Sequence, residues 1–179
     1  MNKKIKVLII FAAIFSVLIG GTVVFVSLFV FGKLSNDKVI TEGNLSMSIP
    51  AIFSKQTPTT DLDWFYLNSA EAIGICGKSD SVSELKREYR LEIDNLDEYI
   101  NLWMESGRYS KLHMYGPYDA GTYKYLEFQS ETDGEYFSYY AAAFQHDDRY
   151  YMITFYCPSN KYALYKSDFN TWAESITFE

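Results

Sequence analysis

A charge-free run from Val7 to Phe31, preceded by Lys3, Lys4 and Lys6, constrains this chain more than any other feature. At helical rise it is long enough to cross the roughly 30 Å hydrocarbon core of a bilayer. A secretory signal peptide begins the same way, but its apolar region is only about 7–15 residues and ends at a small-residue cleavage site. Here the run continues through Phe25, Leu28, Phe29 and Phe31, and Val30-Phe31-Gly32 matches a cleavage site weakly. No cysteine stands just after it to carry a lipid anchor. Residues 7–32 therefore read as an uncleaved transmembrane signal anchor. The positive-inside tendency puts residues 1–6 in the cytoplasm and the carboxyl-terminal part outside the cell membrane. Within the span, Ala12, Ser16 and Gly20 recur every four residues and line one helix face, which would suit a weak homodimer. Small residues are also common in any spanning helix, so the same stripe has an ordinary reading.

Residues 33–44 contain Ser35, Asn36, Asp37 and Gly43 but no aromatic, a composition expected of a short polar stalk. What remains, residues 45–179, has the size of one ordinary domain. Beyond the span, 23 acidic residues stand against 13 basic ones, a formal charge of −10. A nucleic acid partner would need a basic patch that releases counterions. Lys86-Arg87 with Arg90 is too small for that, and it alternates with Glu84, Glu88 and Glu92 as a solvated helix does.

The domain opens with Leu45-Ser46-Met47-Ser48-Ile49-Pro50, an alternation that predicts a half-buried strand stopped at its proline. Residues 64–67 and 70–76 predict two more strands, with Asn68-Ser69 as a tight turn and a change of character at Lys78. Ser81 with Glu84, and Asn95 with Glu98, have capping-box spacing. The second pair leads into Leu96, Tyr99, Ile100, Trp103 and Met104 at helical intervals, a core-facing seam. From Tyr109 the period drops to two, and strands are expected at 109–115, 122–129, 135–145 and 149–157. Gly116-Pro117, Thr132-Asp133-Gly134 and His146-Asp147-Asp148 supply the turns. A last helix through Tyr162, Leu164, Tyr165, Phe169 and Trp172 runs into Ser175-Ile176-Thr177-Phe178-Glu179. The expected class is α+β: one antiparallel sheet of about 6–7 strands covered by helices.

The opening "LSMSIP", the helical "NLDEYINLWM", the meander ending "YYMITFYCP" and the terminal "WAESITF" occur together in an order that resembles the Mog/PsbP-like superfamily. The resemblance covers residues 45–179 and rests on element order and apolar pattern, with no catalytic motif to match. It implies an antiparallel sheet covered by helices, but no single activity. Some members support photosystem II on its lumenal side, one binds the GTPase Ran, and many bacterial members are exported and membrane-attached. This chain departs from the usual bacterial form by carrying a transmembrane anchor, and no ion-site residues of the family carry over to it.

Sixteen tyrosines are the other unusual resource. Leu112, Met114, Leu126, Phe128, Ile153 and Phe155 set an apolar parity, whereas Tyr123, Tyr125, Tyr136, Tyr140, Tyr150 and Tyr156 fall mostly on other parities. Tyrosine tolerates a half-wet strand position, so helices or the first hairpin could cover this second face. The functional alternative is an exposed surface of Tyr123, Tyr125, Tyr136, Tyr140 and Tyr150 that grips a partner protein or stacks on sugars.

Cys76 and Cys157 stand near predicted strand ends, and outside the membrane such a pair can cross-link or remain as two small buried apolar groups. They make a poor metal site, because zinc needs three or four ligands and only His113 and His146 could join them. Neither histidine sits in a nucleophile motif, and Asp61-Leu62-Asp63 is an ordinary near-turn pair. "GICGK" lacks the length and the Ser/Thr of a phosphate-cradling loop. The chain is expected to be a non-catalytic interaction or accessory module of the bacterial cell envelope, with no cofactor and an envelope protein as partner. The alternative is a small-ligand or glycan-binding domain that uses the tyrosine-rich sheet.

Overall fold

The computed structural model describes residues 36–58, 62–89, 91–105 and 112–179. In chain order these give β1 (Asp37–Glu42), β2 (Leu45–Pro50), β3 (Ser54–Gln56), β4 (Trp64–Asn68), β5 (Ile73–Ser81), α1 (Val82–Tyr89) and α2 (Leu96–Glu105). There follow β6 (Met114–Asp119), β7 (Lys124–Thr132), β8 (Glu135–His146), β9 (Arg149–Pro158), a 3-10 turn at Ser159–Lys161, α3 (Tyr162–Glu174) and β10 (Thr177–Phe178). Seven strands form an antiparallel sheet ordered β3-β4-β5-β9-β8-β7-β6, and a second sheet is ordered β1-β2-β10. The α+β class holds, but a single sheet does not. The second sheet arises where composition misleads, because Asp37–Glu42 reads as stalk yet forms β1 and buries Ile40. The compact unit accordingly starts at Lys38 instead of residue 45. No helix among the described residues is long and apolar enough to cross a membrane. The run at 7–31, with Ala12, Ser16 and Gly20, lies outside them.

Alternation does its work where one face meets solvent. Leu45, Met47 and Ile49 of β2 are all buried, and β10 returns to pair Thr177 with Ser46 and Phe178 with Leu45. The β7–β8 turn has Asp133 at φ +54° and Gly134 at +82°, two successive left-handed residues that match the twist of a two-residue hairpin. Two boundaries differ from expectation. The β4–β5 connection spans residues 69–72, since Asn68 still pairs with Ile73. Strand β5 does not change character at Lys78 but runs to Ser81, because β9 offers it partners along its whole length, ending with Ser81 opposite Arg149.

Helix α2 starts as its spacing predicts. The Glu98 N–H donates to Asn95 Oδ1 at 3.0 Å, and the Asp94 N–H donates to Glu98 Oε2 at 2.9 Å, so two orphan donors are satisfied at once. At α1, Ser81 Oγ instead meets Ser83 Oγ at 2.8 Å, and the Val82 N–H donates to the Asp148 carbonyl at 2.8 Å. That bond ties the start of α1 to the β8–β9 turn.

Both faces of the seven-stranded sheet are covered. On one, Ile73, Ile75, Tyr140, Ala142, Phe144, Ile153 and Phe155 pack with Phe169, Trp172 and Ala173 of α3 and with Leu45, Met47 and Ile49 of the small sheet. On the other, Leu126, Phe128, Ala141, Ala143, Tyr150 and Met152 pack with Leu85 of α1 and with Tyr99 and Ile100 of α2. The run Ala141-Ala142-Ala143 is fully buried on the two faces alternately. Two-sided burial is why β8 and β9 read as near-continuous apolar runs.

Candidate functional site

The five tyrosines expected to share a surface do not. Tyr123 and Tyr140 are 2% and 1% exposed beneath α3, with Tyr125 half-buried beside them. Tyr150 is 1% exposed on the opposite face, stacked at 4.8 Å on Tyr99. Tyr136, at 60%, is the one of the five left in solvent. The physical reason lies in the covering elements, which bring acceptors for the phenols. The hydroxyls of Tyr123 and Tyr140 lie 3.0 Å apart and reach Asn170 Oδ1 on α3 at 3.0 and 3.1 Å. Tyr150 donates to the Ile93 carbonyl at 3.2 Å, and Tyr99 to Asp80 Oδ2 at 2.7 Å. A buried phenol satisfied in this way loses little of its apolar gain. Burial, with the Tyr123 hydroxyl next in effect, pushes the Tyr140 phenol far above its ordinary range.

Cys76 and Cys157 are not bridged. The β5–β9 register sets Cys76 opposite Thr154. Cys76 lies with Met152 on the α1/α2 side, whereas Cys157 belongs to the core beneath α3, so the sheet itself separates the sulfurs. Burial raises the Cys76 thiol to about 12 and the Cys157 thiol to about 11, which keeps both protonated at ordinary pH. Among the described residues no group of three His, Cys, Asp or Glu side chains could hold a metal ion. His113 packs edge-on to Tyr115, and His146 stacks on Phe178 with its Nε2 3.5 Å from Asp147 Oδ2. Asp61 lies outside the described residues, and "GICGK" is the interior of β5.

Exposed tyrosines do exist, on β6, where Gly116-Pro117 reads in the sequence as a turn. It is instead a break inside the strand. Tyr115 faces Glu127 across the ladder and Tyr118 faces Tyr125, with the register slipping between them. Residues 125 and 127 share a face, so the slip puts Tyr115 and Tyr118 on the same side, where an unbroken strand would oppose them. Gly116 has φ +110°, and a Cβ there would sit 2.9 Å from the Tyr125 carbonyl oxygen, so no larger residue fits the slip. Tyr115 is 54% and Tyr118 42% exposed, and β6 is the outer strand of its sheet among the described residues. Tyr118 leans on Tyr125 at 5.1 Å. Behind them Glu127 accepts from Tyr162 at 2.8 Å and from Lys166 at 2.7 Å, which locks α3 to this edge.

A second feature lies at the other side of the sheet. A cleft of about 500 Å³ is bordered by Asn44, Asp63, Trp64, Ser79, Arg149 and Tyr151. Ser79 donates its N–H and its hydroxyl to Asp63 Oδ2, each at 2.7 Å, and accepts from Arg149 Nη1 at 3.2 Å. Tyr151 donates to Asn44 Oδ1 at 2.7 Å. Of these only Asp63 figures in the sequence reading, in the Asp61-Leu62-Asp63 pair; the β1–β2 turn, the segment before β4, and β4, β5 and β9 contribute one or two each, and only the fold assembles them.

No protein-family model and no curated protein matches the chain. Solved structures do. Cyanobacterial PsbP (CyanoP) from Synechocystis sp. PCC 6803 superposes with a TM-score of 0.59 at 11% identity, over 80% of this chain and 92% of that one. The Saccharomyces cerevisiae Ran-binding protein Mog1p superposes with a TM-score of 0.51 at 10% identity, over 80% of this chain and 95% of that one. The fold is thus the Mog/PsbP-like one that the order of sequence elements resembles.

Proposed function

We propose that this chain, built on the Mog/PsbP-like fold, is a non-catalytic interaction module held at the outer face of a bacterial cell membrane by residues 7–31. It docks an envelope protein on the β6 edge. The observation that carries this reading is the slip at Gly116, which turns Tyr115 and Tyr118 to one side of an outer strand. Amphipathic rings on a strand that is outermost among the described residues make a surface that a protein partner can both cover and hydrogen-bond. The fold likeness supports an accessory role in the coarse sense that one neighbour, Mog1p, is a Ran-binding protein. A sugar-stacking sheet is less well supported, since Tyr123, Tyr140 and Tyr150 are closed off beneath helices.

Crosslinking of the full-length protein in its native membrane tests the reading. The expected result is one reproducible envelope protein, captured by the whole chain but not by residues 1–35 alone, and lost when Tyr115→Ala and Tyr118→Ala are combined. Undiminished capture by that double variant would sink the β6 edge as the docking surface. Recovery of the carboxyl-terminal domain from the cytoplasmic side of sealed vesicles would sink the orientation.

A further inference from the structure

The cleft at the start of β9 has a chemistry that the β6 edge does not use. Lys55, Lys86, Lys124, Lys161 and Lys166 each meet a carboxylate at 3.0 Å or less. Arg149 is half-buried and makes no such ion pair among the described residues, being held only through Ser79 Oγ. The serine hydroxyl has one proton, which goes to Asp63 at 2.7 Å, so it serves Arg149 purely as an acceptor. A guanidinium carries five N–H donors in a rigid fork, and one bond to Ser79 leaves the others for a guest. Beside it, Asn44 spends its oxygen on Tyr151, which leaves its amide N–H groups as further donors.

The acidic walls differ from one another. Glu42 is consumed, with both oxygens on Lys55 at 2.6 and 2.9 Å and Oε1 also on Tyr66 at 2.7 Å. Among the described residues Asp63 spends only Oδ2, on Ser79. One free carboxylate oxygen and one underused guanidinium therefore border the same cleft and share the same serine. The extracytoplasmic part carries a formal −10, which opposes a simple anion but not a molecule without net charge. A volume of about 500 Å³ lies in the ordinary range for small-ligand sites.

The geometry points to a small zwitterion as the ligand of this cleft, its carboxylate on Arg149 and Asn44 and its ammonium on Asp63. An amino acid or dipeptide has this chemistry and size. The site stands apart from the β6 surface and does not depend on it.

Calorimetric titration of the full-length protein in detergent, with glycylglycine, acetate and methylammonium as probes, tests the assignment. Glycylglycine is expected to bind saturably, and each half-molecule about tenfold or more weaker, since each keeps only one of two charge-assisted contacts. Arg149→Lys retains the charge but loses the planar fork, and should weaken glycylglycine roughly fivefold or more. Ser79→Ala removes the relay that positions Arg149, and should weaken it severalfold while the melting temperature holds. Should Arg149→Lys fail to fold, Ser79→Ala decides alone. The proposal falls if glycylglycine gives no saturable heat, if acetate binds as tightly as glycylglycine, or if a folded variant binds like the parent.

Discussion

The two faces of the seven-stranded sheet are closed by different means. Beneath α3 the rings interlock: Tyr125 stacks on Tyr140 at 4.5 Å, Tyr123 on Phe144 at 5.0 Å and Phe155 on Phe169 at 5.7 Å, with Asn170 collecting the phenol hydroxyls. Beneath α1 and α2 a hollow of about 270 Å³ remains beside Trp103, Phe128, Tyr139 and Met152. Both faces carry tyrosine, so residue type does not tell them apart. They differ in whether the covering helix fills the space over the rings, and the cost of deleting a side chain should register that difference.

Phe155 and Met152 measure it most directly, as they stand three residues apart on β9 and are equally buried. Phe155→Ala empties the packed face and should cost about 3–5 kcal/mol. Met152→Ala enlarges a hollow that already exists, and should fall near the low end of the 2–5 kcal/mol range for such truncations. Urea denaturation gives both values, and equal losses would break the comparison. A smaller effect is expected from Gly77→Ala. The Trp64 indole lies over Gly77 from the neighbouring strand, and an added Cβ would sit 2.2 Å from the ring. Overpacking of this kind costs about 1–3 kcal/mol. Native Trp fluorescence should shift in the same variant if the indole is displaced.

These differences bear on what the sequence could disclose. The alternation of "LSMSIP", the capping pair Asn95/Glu98 and the Asp133-Gly134 turn are local devices, and the structure places each where its chemistry predicts. The apolar patterning of β7, β8 and β9 is equally visible, but it does not say what covers each face or which acceptors the cover brings. Tyr123, Tyr140 and Tyr150 fall in that gap, because Asn170 lies 30 residues from Tyr140 and Ile93 lies 57 from Tyr150, and no local pattern announces such partners. The β6 slip failed for a similar reason. Gly116-Pro117 has the composition of a turn, and only pairing with β7 makes it a break within a strand. The Arg149 cleft was least legible of all, assembled from side chains on β4, β5 and β9 and on two connecting segments.

Phenol hydroxyls offer a finer test of the packed face. Tyr140→Phe keeps the ring but removes one member of the group around Asn170, and should cost about 0.5–1.5 kcal/mol, the net worth of a hydrogen bond, since Tyr123 still donates to Asn170. Tyr136→Phe removes the same atom from a solvent-exposed ring, and should change stability by no more than about 0.5 kcal/mol. If Tyr123→Phe is combined with Tyr140→Phe, the two losses should not add, because the hydroxyls share Asn170. Strict additivity in the double variant would mean that the hydroxyls act separately.

The smallest expected effect comes from the cysteines, which lie on the two faces of the same sheet. Reductant should leave the melting temperature unchanged, and the denatured, unreduced protein should titrate two thiols. Folded protein near neutral pH should react slowly with a maleimide, since burial raises both thiols, Cys76 to about 12 and Cys157 to about 11 from an ordinary 9.0. The sign for stability follows from proton binding. Above about pH 9 the unfolded chain has already released these protons while the folded chain retains them, so folding stability is fully present below that pH and declines as pH rises toward 11–12. Tyrosines raised by burial, Tyr156 to about 12 among them, deepen the same decline. Cys76→Ala and Cys157→Ala should each make it shallower, with Cys76 contributing more because its thiol is raised further. A decline identical in all three proteins would assign the alkaline loss to the tyrosines alone.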